Sequence, residues 1–112
     1  MVKPRNVSPE GVVPKDGPSA GVTMCVSLIS ALTGRKVKKD IAMTGELTLK
    51  GNILPVGGIK EKVLAAHRAG VGKVLLPVEN KPDIDEIPEK IRNKMEFVLI
   101  NRIEDALKEV LV

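Results

Sequence analysis

The sequence predicts an α+β fold with a mixed sheet, an antiparallel hairpin, a buried central helix and a C-terminal parallel βαβα unit. An apolar run from Val22 to Leu32, interrupted by few polar residues, is typical of a helix inside a core. Two β-prone runs flank the Gly51-Asn52 pair, a pattern that predicts an antiparallel hairpin. Residues 73–110 then alternate strand, helix, strand, helix, which predicts a parallel crossover and hence both kinds of strand pairing.

Length and composition predict a single domain over residues 1–112. A hydrophobic content of 43% is enough for one compact core. Residues 1–18 are rich in proline and glycine and are expected to form an extended lead-in, with the core in 19–112. Cys25 is the only cysteine, so no internal disulfide can form. The longest apolar run, 22–32, is too short and too polar for a membrane span, and the N-terminus lacks the apolar region of a secretory signal. We therefore expect a cytoplasmic protein with no membrane partner.

The charge pattern argues against specific nucleic-acid binding. The formal net charge is +4, and the one basic cluster is "RKVKK" at 35–39. Phe97 is the only aromatic residue, so the chain has no platform on which bases could stack. The cluster is therefore expected to be a solvated surface loop.

The elements are predicted in chain order from local signals. The first helix should run from Ser19 to Thr33, because Gly34 is a typical C-terminal stop. The segments that follow are strands at 41–45 and on both sides of the turn in 46–58, a helix at 59–70, a strand at 73–78, a polar helical crossover at 80–94 broken at Pro88, and a strand at 96–100. Asn101 is expected to cap the last helix, with Glu104 completing a capping box.

Ser19, in "DGPSAG" at 16–21, supports two interpretations. Serine is a favoured N-cap, and here it directly precedes an apolar helix. Alternatively it is a nucleophile: Pro18 restricts the backbone before it, and Ala20 and Gly21 leave room for a substrate carbonyl. The first amides of a helix have no internal partners, so they could stabilise an oxyanion there.

A nucleophilic Ser19 would need a base other than histidine. The string matches G-x-S-x-G, but no convincing strand precedes it, and His67, the single histidine, lies among charged residues. Lysine can act as the base if it is uncharged, which requires apolar surroundings or a nearby positive charge. At 100° per residue, Lys62 falls about 60° from the centre of the apolar stripe of its helix and Lys60 about 100°. The periodicity therefore favours Lys62 by a small margin.

Three segments carry a family resemblance: "PKDGPSAGVTMCVSLISALTG", "DIAMTGELTLKGNILPVGGIKEKVLAAHRAG" and "VLLPVENKPDIDEIP". They resemble the proteolytic domain of Lon, the ATP-dependent Ser–Lys protease, from about Pro9 to the C-terminus. The resemblance implies that Ser19 is the nucleophile, that Lys62 is the general base, and that the oxyanion sits on backbone around Pro18 and Ser19.

The resemblance also implies supporting roles for Asp16, Thr44 and Glu46. The Thr44 hydroxyl would hydrogen-bond the lysine amine and fix its position. Each residue keeps a structural alternative: Asp16 as a turn residue, Thr44 as a hydroxyl that satisfies backbone at a strand end, and Glu46 as part of the strand. Cys25 is expected in the core.

The implied reaction is peptide-bond hydrolysis in unfolded or damaged proteins. The family assembles into six-membered rings, and a separate AAA+ motor domain uses ATP and Mg²⁺. The 112 residues contain no G-x-x-x-x-G-K-[ST] loop, so we expect no cofactor and no metal in this chain.

The N-terminal stretch departs from the family pattern. "MVKPRNVSPEG" keeps "PEG" but lacks the sheet structure and histidines that precede it in the family. The chain is thus expected to be an N-terminally truncated domain with exposed aliphatic side chains. Three hypotheses follow: an active Ser–Lys peptidase, a catalytically incompetent assembly or interaction module, and a small basic nucleic-acid binder.

Overall fold

The computed structural model describes the backbone of residues 17–112 and the side chains of residues 21–112. Asp16 and the rest of residues 1–16 lie outside this range. The helices are α1 (Gly17–Thr33), α2 (Ile59–Arg68), α3 (Lys81–Ile84), α4 (Glu89–Arg92) and α5 (Ile103–Val110), with a 3₁₀ turn at Val78–Asn80. The strands are β1 (Ile41–Met43), β2 (Glu46–Leu47), β3 (Ile53–Leu54), β4 (Lys73–Pro77) and β5 (Glu96–Ile100).

Helix α1 begins two residues earlier than the sequence predicts. It starts at Gly17, so Ser19 lies within the first turn and the N-cap interpretation of Ser19 is wrong. Pro18 is tolerated there because the first amides of a helix have no intrahelical acceptor. The predicted stop is confirmed: Gly34 has φ +73°, and its N–H donates to the Ser30 carbonyl at 2.9 Å.

Helix α1 buries one face only. Val22 and Val26 are buried in the core. Cys25 is only half-buried, so the prediction that it lies in the core is wrong. The outward face carries an apolar row at a spacing of four residues: Met24, Leu28 and Leu32, with exposures of 65%, 60% and 75%. Burial on all sides was thus the wrong expectation, and the predicted exposure of aliphatic side chains is confirmed on this face. Within residues 17–112 no helix is long and apolar enough to cross a membrane.

The strands confirm the α+β class and its two kinds of pairing. β1, β4 and β5 form a parallel sheet with β4 at its centre, and β2 and β3 form an antiparallel sheet of their own. The antiparallel pair therefore does not extend the parallel sheet. Residues 74–77 of β4 are all buried, as expected of a parallel strand that is covered on both faces.

Strand β4 separates two apolar clusters. Leu75 packs with α1 and α5 in one cluster, and Val74 and Leu76 pack with α2 and the α3–α4 crossover in the other. This alternation follows from the two-residue period of a strand. The crossover is broken at Pro88, as predicted, and Ile87 anchors it in the second cluster.

The cap of α5 is displaced by one residue from the predicted position. Arg102, and not Asn101, is the N-cap. The Asp105 carboxylate accepts the N–H groups of Asn101 and Arg102 at 3.0 and 2.9 Å, the role that was predicted for Glu104. These two hydrogen bonds lower the pKa of Asp105, because they stabilise the carboxylate over the carboxylic acid.

The basic cluster at 35–39 is a surface loop, as predicted. Its four cationic residues are exposed. The backbone is tied to the C-terminus: the Lys38 N–H donates to the Val110 carbonyl and the Val112 N–H to the Lys36 carbonyl, both at 2.8 Å. The loop therefore has a structural role at the C-terminal end of α5.

Candidate active site

A groove of about 390 Å³ opens beside strand β1 and helix α2. Its lining is mostly aliphatic and contains one hydroxyl and one amine. The lining residues are Ala42, Met43, Thr44, Lys62, Ala65, Ala66 and Val74. Such an enclosure of apolar walls with few polar groups is typical of a ligand-binding site.

Helix α2 places Lys62 on this groove. The helix forms because Ile59 and Val63 recur at helical spacing and are buried, and because Gly58 supplies a left-handed N-cap at φ +73°. Lys62 is exposed, and it lies at the edge of the aliphatic lining. Its Nζ donates to the Gly57 carbonyl at 3.4 Å. Lys60 is exposed too but does not line the groove.

Thr44 contributes the hydroxyl of the groove. It follows β1 directly, and its N–H donates to the Leu75 carbonyl at 3.1 Å, which continues the β1–β4 pairing. The residue is only 4% exposed, and its Oγ1 has no hydrogen-bond partner in the part of the chain that the structure describes. A buried unpaired hydroxyl is costly and uncommon, so this atom requires an explanation.

The residue after Thr44 connects the groove to helix α1. The Val22 N–H donates to the Gly45 carbonyl at 3.4 Å. Only glycine fits at position 45: its φ is +148°, and a Cβ there would lie 2.8 Å from Ile53 Cγ2. Ser19 is three residues before Val22 in the helix, about 4.5 Å along its axis. The backbone of Ser19 is therefore held one turn from the strand end that carries Thr44.

The remaining predicted residues lie elsewhere. Asp16 falls outside the described residues, and the side chains of Pro18 and Ser19 do too. Glu46 is half-buried in β2 opposite Leu54 and does not line the groove. His67 is half-buried on α2 and is also absent from the lining.

Among the described residues, the charged groups whose pKa is shifted do not line the groove. Lys73 and Glu109 form an ion pair at 2.8 Å. Glu109 raises the pKa of Lys73, chiefly through this hydrogen bond, and Lys73 lowers the pKa of Glu109. Residues 17–112 contain no group of three or more His, Cys, Asp or Glu side chains that could hold a metal ion.

Asn80, a buried polar residue that supports the approach to α2, was not predicted from the sequence. Its side-chain amide bonds both backbone polar groups of Val56, which lies 24 positions earlier. No local pattern signals this contact, since it depends on two segments brought together by the fold.

Comparison with known proteins defines the class of this chain as a protease domain. Residues 6–112 match a family of proteolytic domains, and this range includes all the residues that the structure describes. That family is the Lon protease (S16) C-terminal proteolytic domain, and the chain belongs to it.

Individual relatives agree with the family match. The chain is 60% identical over 103 residues to Lon protease 1 of Sorangium cellulosum, a match that covers 92% of this chain. It is 64% identical to the Lon protease of Finegoldia magna and 61% identical to that of Clostridioides difficile, each over 104 residues and 93% of this chain. These matches span 13% of the length of each relative.

Proposed function

We propose that this chain is a serine-type endopeptidase domain in which Ser19 is the nucleophile and Lys62 is the general base. One observation carries the proposal: Lys62 shares a groove with the Thr44 hydroxyl, which is buried and has no hydrogen-bond partner among the described residues. The residue after Thr44 is hydrogen-bonded to the helix that bears Ser19. Membership in a family of proteolytic domains supports peptide-bond hydrolysis as the reaction.

In the proposed reaction, the Ser19 hydroxyl attacks the carbonyl carbon of a peptide bond while uncharged Lys62 takes its proton. The tetrahedral intermediate collapses to an acyl-enzyme, and the protonated lysine returns the proton to the leaving amine. Water, with Lys62 again as base, then hydrolyses the ester. The oxyanion would be stabilised by backbone amides in the first turn of α1. Pro18 has no N–H, so the Ser19 amide is the first donor after that of Gly17.

Thr44 would act on the lysine. Its Oγ1 can accept a hydrogen bond from an ammonium or donate one to an uncharged amine, so it can hold Nζ in both protonation states. Lys62 is exposed in the open groove. A substrate chain that covers the groove would exclude water, and loss of water around an amine favours its uncharged form. Asp16 and Glu46 are retained as supporting residues in the proposal.

We base the proposed biological setting on family membership. The substrates would be unfolded or damaged proteins in the cytoplasm, and the domain would assemble into a hexameric ring. ATP and Mg²⁺ would be used by an AAA+ motor domain, and these 112 residues contain no phosphate-binding loop for it.

Covalent labelling tests the dyad. A fluorophosphonate reagent is expected to label Ser19 of the purified chain, as located by peptide mass mapping. Labelling should be lost in Lys62→Ala and retained in Lys60→Ala, which removes an exposed lysine of the same helix. Equal labelling in the Lys62→Ala variant would contradict the assignment of the base.

Casein digestion separates the peptidase from the alternative, a truncated module that assembles without cleaving. Digestion that is abolished in Ser19→Ala would exclude the alternative. A chain that assembles without digesting casein or accepting the label would establish it.

A further inference from the structure

The segment that leads into α2 is held by few side chains. Residues 55–58 read Pro-Val-Gly-Gly, and only Val56 is half-buried. Apart from its chain neighbours, no described heavy atom lies within 4 Å of the position that a Cβ at Gly57 would take. Two consecutive glycines also have much conformational freedom to lose. Val56 packs against the second apolar cluster, so hydrogen bonds must supply the rest of the order of this segment.

Asn80 supplies that order. It is 4% exposed, in the 3₁₀ turn after β4. Its Oδ1 accepts the Val56 N–H at 3.0 Å, and its Nδ2 donates to the Val56 carbonyl at 2.8 Å. Nδ2 also donates to Asp83 Oδ2 at 2.7 Å, which fixes the orientation of the amide, because only the nitrogen can donate to a carboxylate. One side chain thus pairs with Val56 as a neighbouring strand would.

Lys62 contacts the residues that directly follow Val56. Its Nζ donates to the Gly57 carbonyl at 3.4 Å, and its backbone N–H donates to the Gly58 carbonyl at 3.0 Å. The amine therefore bonds a glycine segment that lies between Val56, the partner of Asn80, and the buried Ile59.

We propose that Asn80 is a positioning residue for Lys62: its clasp on Val56 holds the Gly57 carbonyl where it directs the amine into the groove. This inference rests on the proposed function, in which Lys62 is the base. The simpler explanation is that Asn80 only satisfies the backbone of Val56 and stabilises the fold. The two explanations predict different results for a variant at position 80: a positioning role slows proton transfer by more than the loss of stability accounts for, and a purely structural role does not.

The first variant is Asn80→Ala in the full 112-residue chain. We expect amide exchange at Val56, followed by NMR, to accelerate, and fluorophosphonate labelling of Ser19 to slow by about 10- to 100-fold, because small misplacements of a catalytic group have effects of this size. Ile87→Val is the control for lost stability, since Ile87 is buried in the apolar cluster against which Val56 packs but has no polar group that could hold the backbone of Val56. It should lower the melting temperature and leave the labelling rate unchanged.

A second pair of variants separates local stability from positioning. In Asn80→Asp the new carboxylate still accepts the Val56 N–H, but it cannot donate to the Val56 carbonyl and it repels Asp83. Adding Asp83→Asn restores a hydrogen bond between positions 80 and 83, while the Val56 carbonyl stays without its donor. We expect the double variant to regain thermal stability and to remain slow in labelling.

The outcomes are distinguishable. Labelling that recovers together with stability in the double variant would overturn the positioning role and leave the dyad intact. The same holds if Asn80→Ala accelerates exchange at Val56 yet labels as fast as Ile87→Val. Wild-type labelling that persists in Lys62→Ala would instead refute the proposed function, and the positioning role with it.

Discussion

Replacing Thr44 by valine is expected to stabilise the chain while slowing the proposed reaction. The hydroxyl is buried without a partner among the described residues, and leaving such a group unsatisfied costs about 1–3 kcal/mol. Valine has nearly the same shape and keeps the apolar contacts. We expect the free energy of unfolding to rise by about 1 kcal/mol. For a domain of this size, that raises the melting temperature by about 4 °C.

Thr48→Val is the matched control, because it makes the same chemical change at a hydroxyl that is hydrogen-bonded. Thr48 Oγ1 accepts the Asn52 N–H at 3.0 Å in the hairpin turn. Its loss should lower the free energy of unfolding by about 1 kcal/mol. Urea denaturation of both variants measures the two changes, which should have opposite signs.

The functional half of this prediction uses labelling of Ser19. Thr44→Val should slow labelling about tenfold or more, the lower end of the effect of misplacing a catalytic group. Thr44→Ser, which keeps the hydroxyl, should restore most of the rate. If Thr44→Val destabilises the chain as much as Thr48→Val, the hydroxyl already has a partner in solution, and the argument that it is reserved for the lysine amine is refuted.

Three further predictions concern stability. Asp105 has a folded pKa below its unfolded value, so its contribution is present at neutral pH and is lost as the pH falls through the folded pKa. Asp105→Asn should therefore lower the melting temperature at pH 7, and the difference from the parent chain should shrink as the pH is lowered. Arg102 donates to Asn52 Oδ1 at 2.7 Å and to the Lys50 carbonyl at 2.9 Å. Arg102→Ala should therefore accelerate amide exchange in the hairpin turn and destabilise the chain by about 1 kcal/mol. Unchanged exchange would show that the turn does not depend on these two hydrogen bonds. Leu75→Ala, at a fully buried position of the central strand, should lower the free energy of unfolding by about 2–5 kcal/mol, measured by urea denaturation. Leu28→Ala on the exposed face of α1 should lower it far less. Equal losses of stability would mean that this face is covered in solution.

The elements predicted best are those bounded by strong local signals. Gly34 and Gly70 end their helices with positive φ, and Pro88 breaks the crossover. The hairpin forms where Gly51-Asn52 predicts one, but its turn is residues 49–51, and Asn52 pairs with Thr48 through the Thr48 N–H and the Asn52 carbonyl. Each signal acts through the backbone of the residue itself or of its neighbours, so the sequence is sufficient.

The predictions failed where distant segments decide. Whether the hairpin joins the parallel sheet depends on packing between strands that are far apart in sequence. The apolar row of α1 looks like core because hydrophobicity alone does not say which face has a partner. The cap of α5 was misplaced by one residue, because Glu104 and Asp105 are both carboxylates near a helix start, and only coordinates show which one reaches the free amides.

The site divides in the same way. Helical periodicity favours Lys62 over Lys60, and of the two only Lys62 lines the groove; its role as a base stays a prediction. The lack of a partner for Thr44 Oγ1 among the described residues and the contact of Asn80 with Val56 depend on three-dimensional neighbours, so no spacing in the sequence could indicate them. The roles of Ser19 and Asp16 stay predictions too, since their side chains lie outside the described residues.

The all-parallel pairing of β4 has a consequence for how the chain folds. Its two neighbours are distant in sequence: Lys73 is in register with Ile41 on one side and with Glu96 on the other. No tight turn can bring either pair together, so each requires closure of a loop of more than twenty residues before the new contacts compensate for the lost entropy. The β4–β5 closure is the shorter one, and we expect the C-terminal half to form the nucleus on which the segment from α1 to α2 later docks. The groove, which needs β1, β4 and α2 together, would then be completed only late in folding.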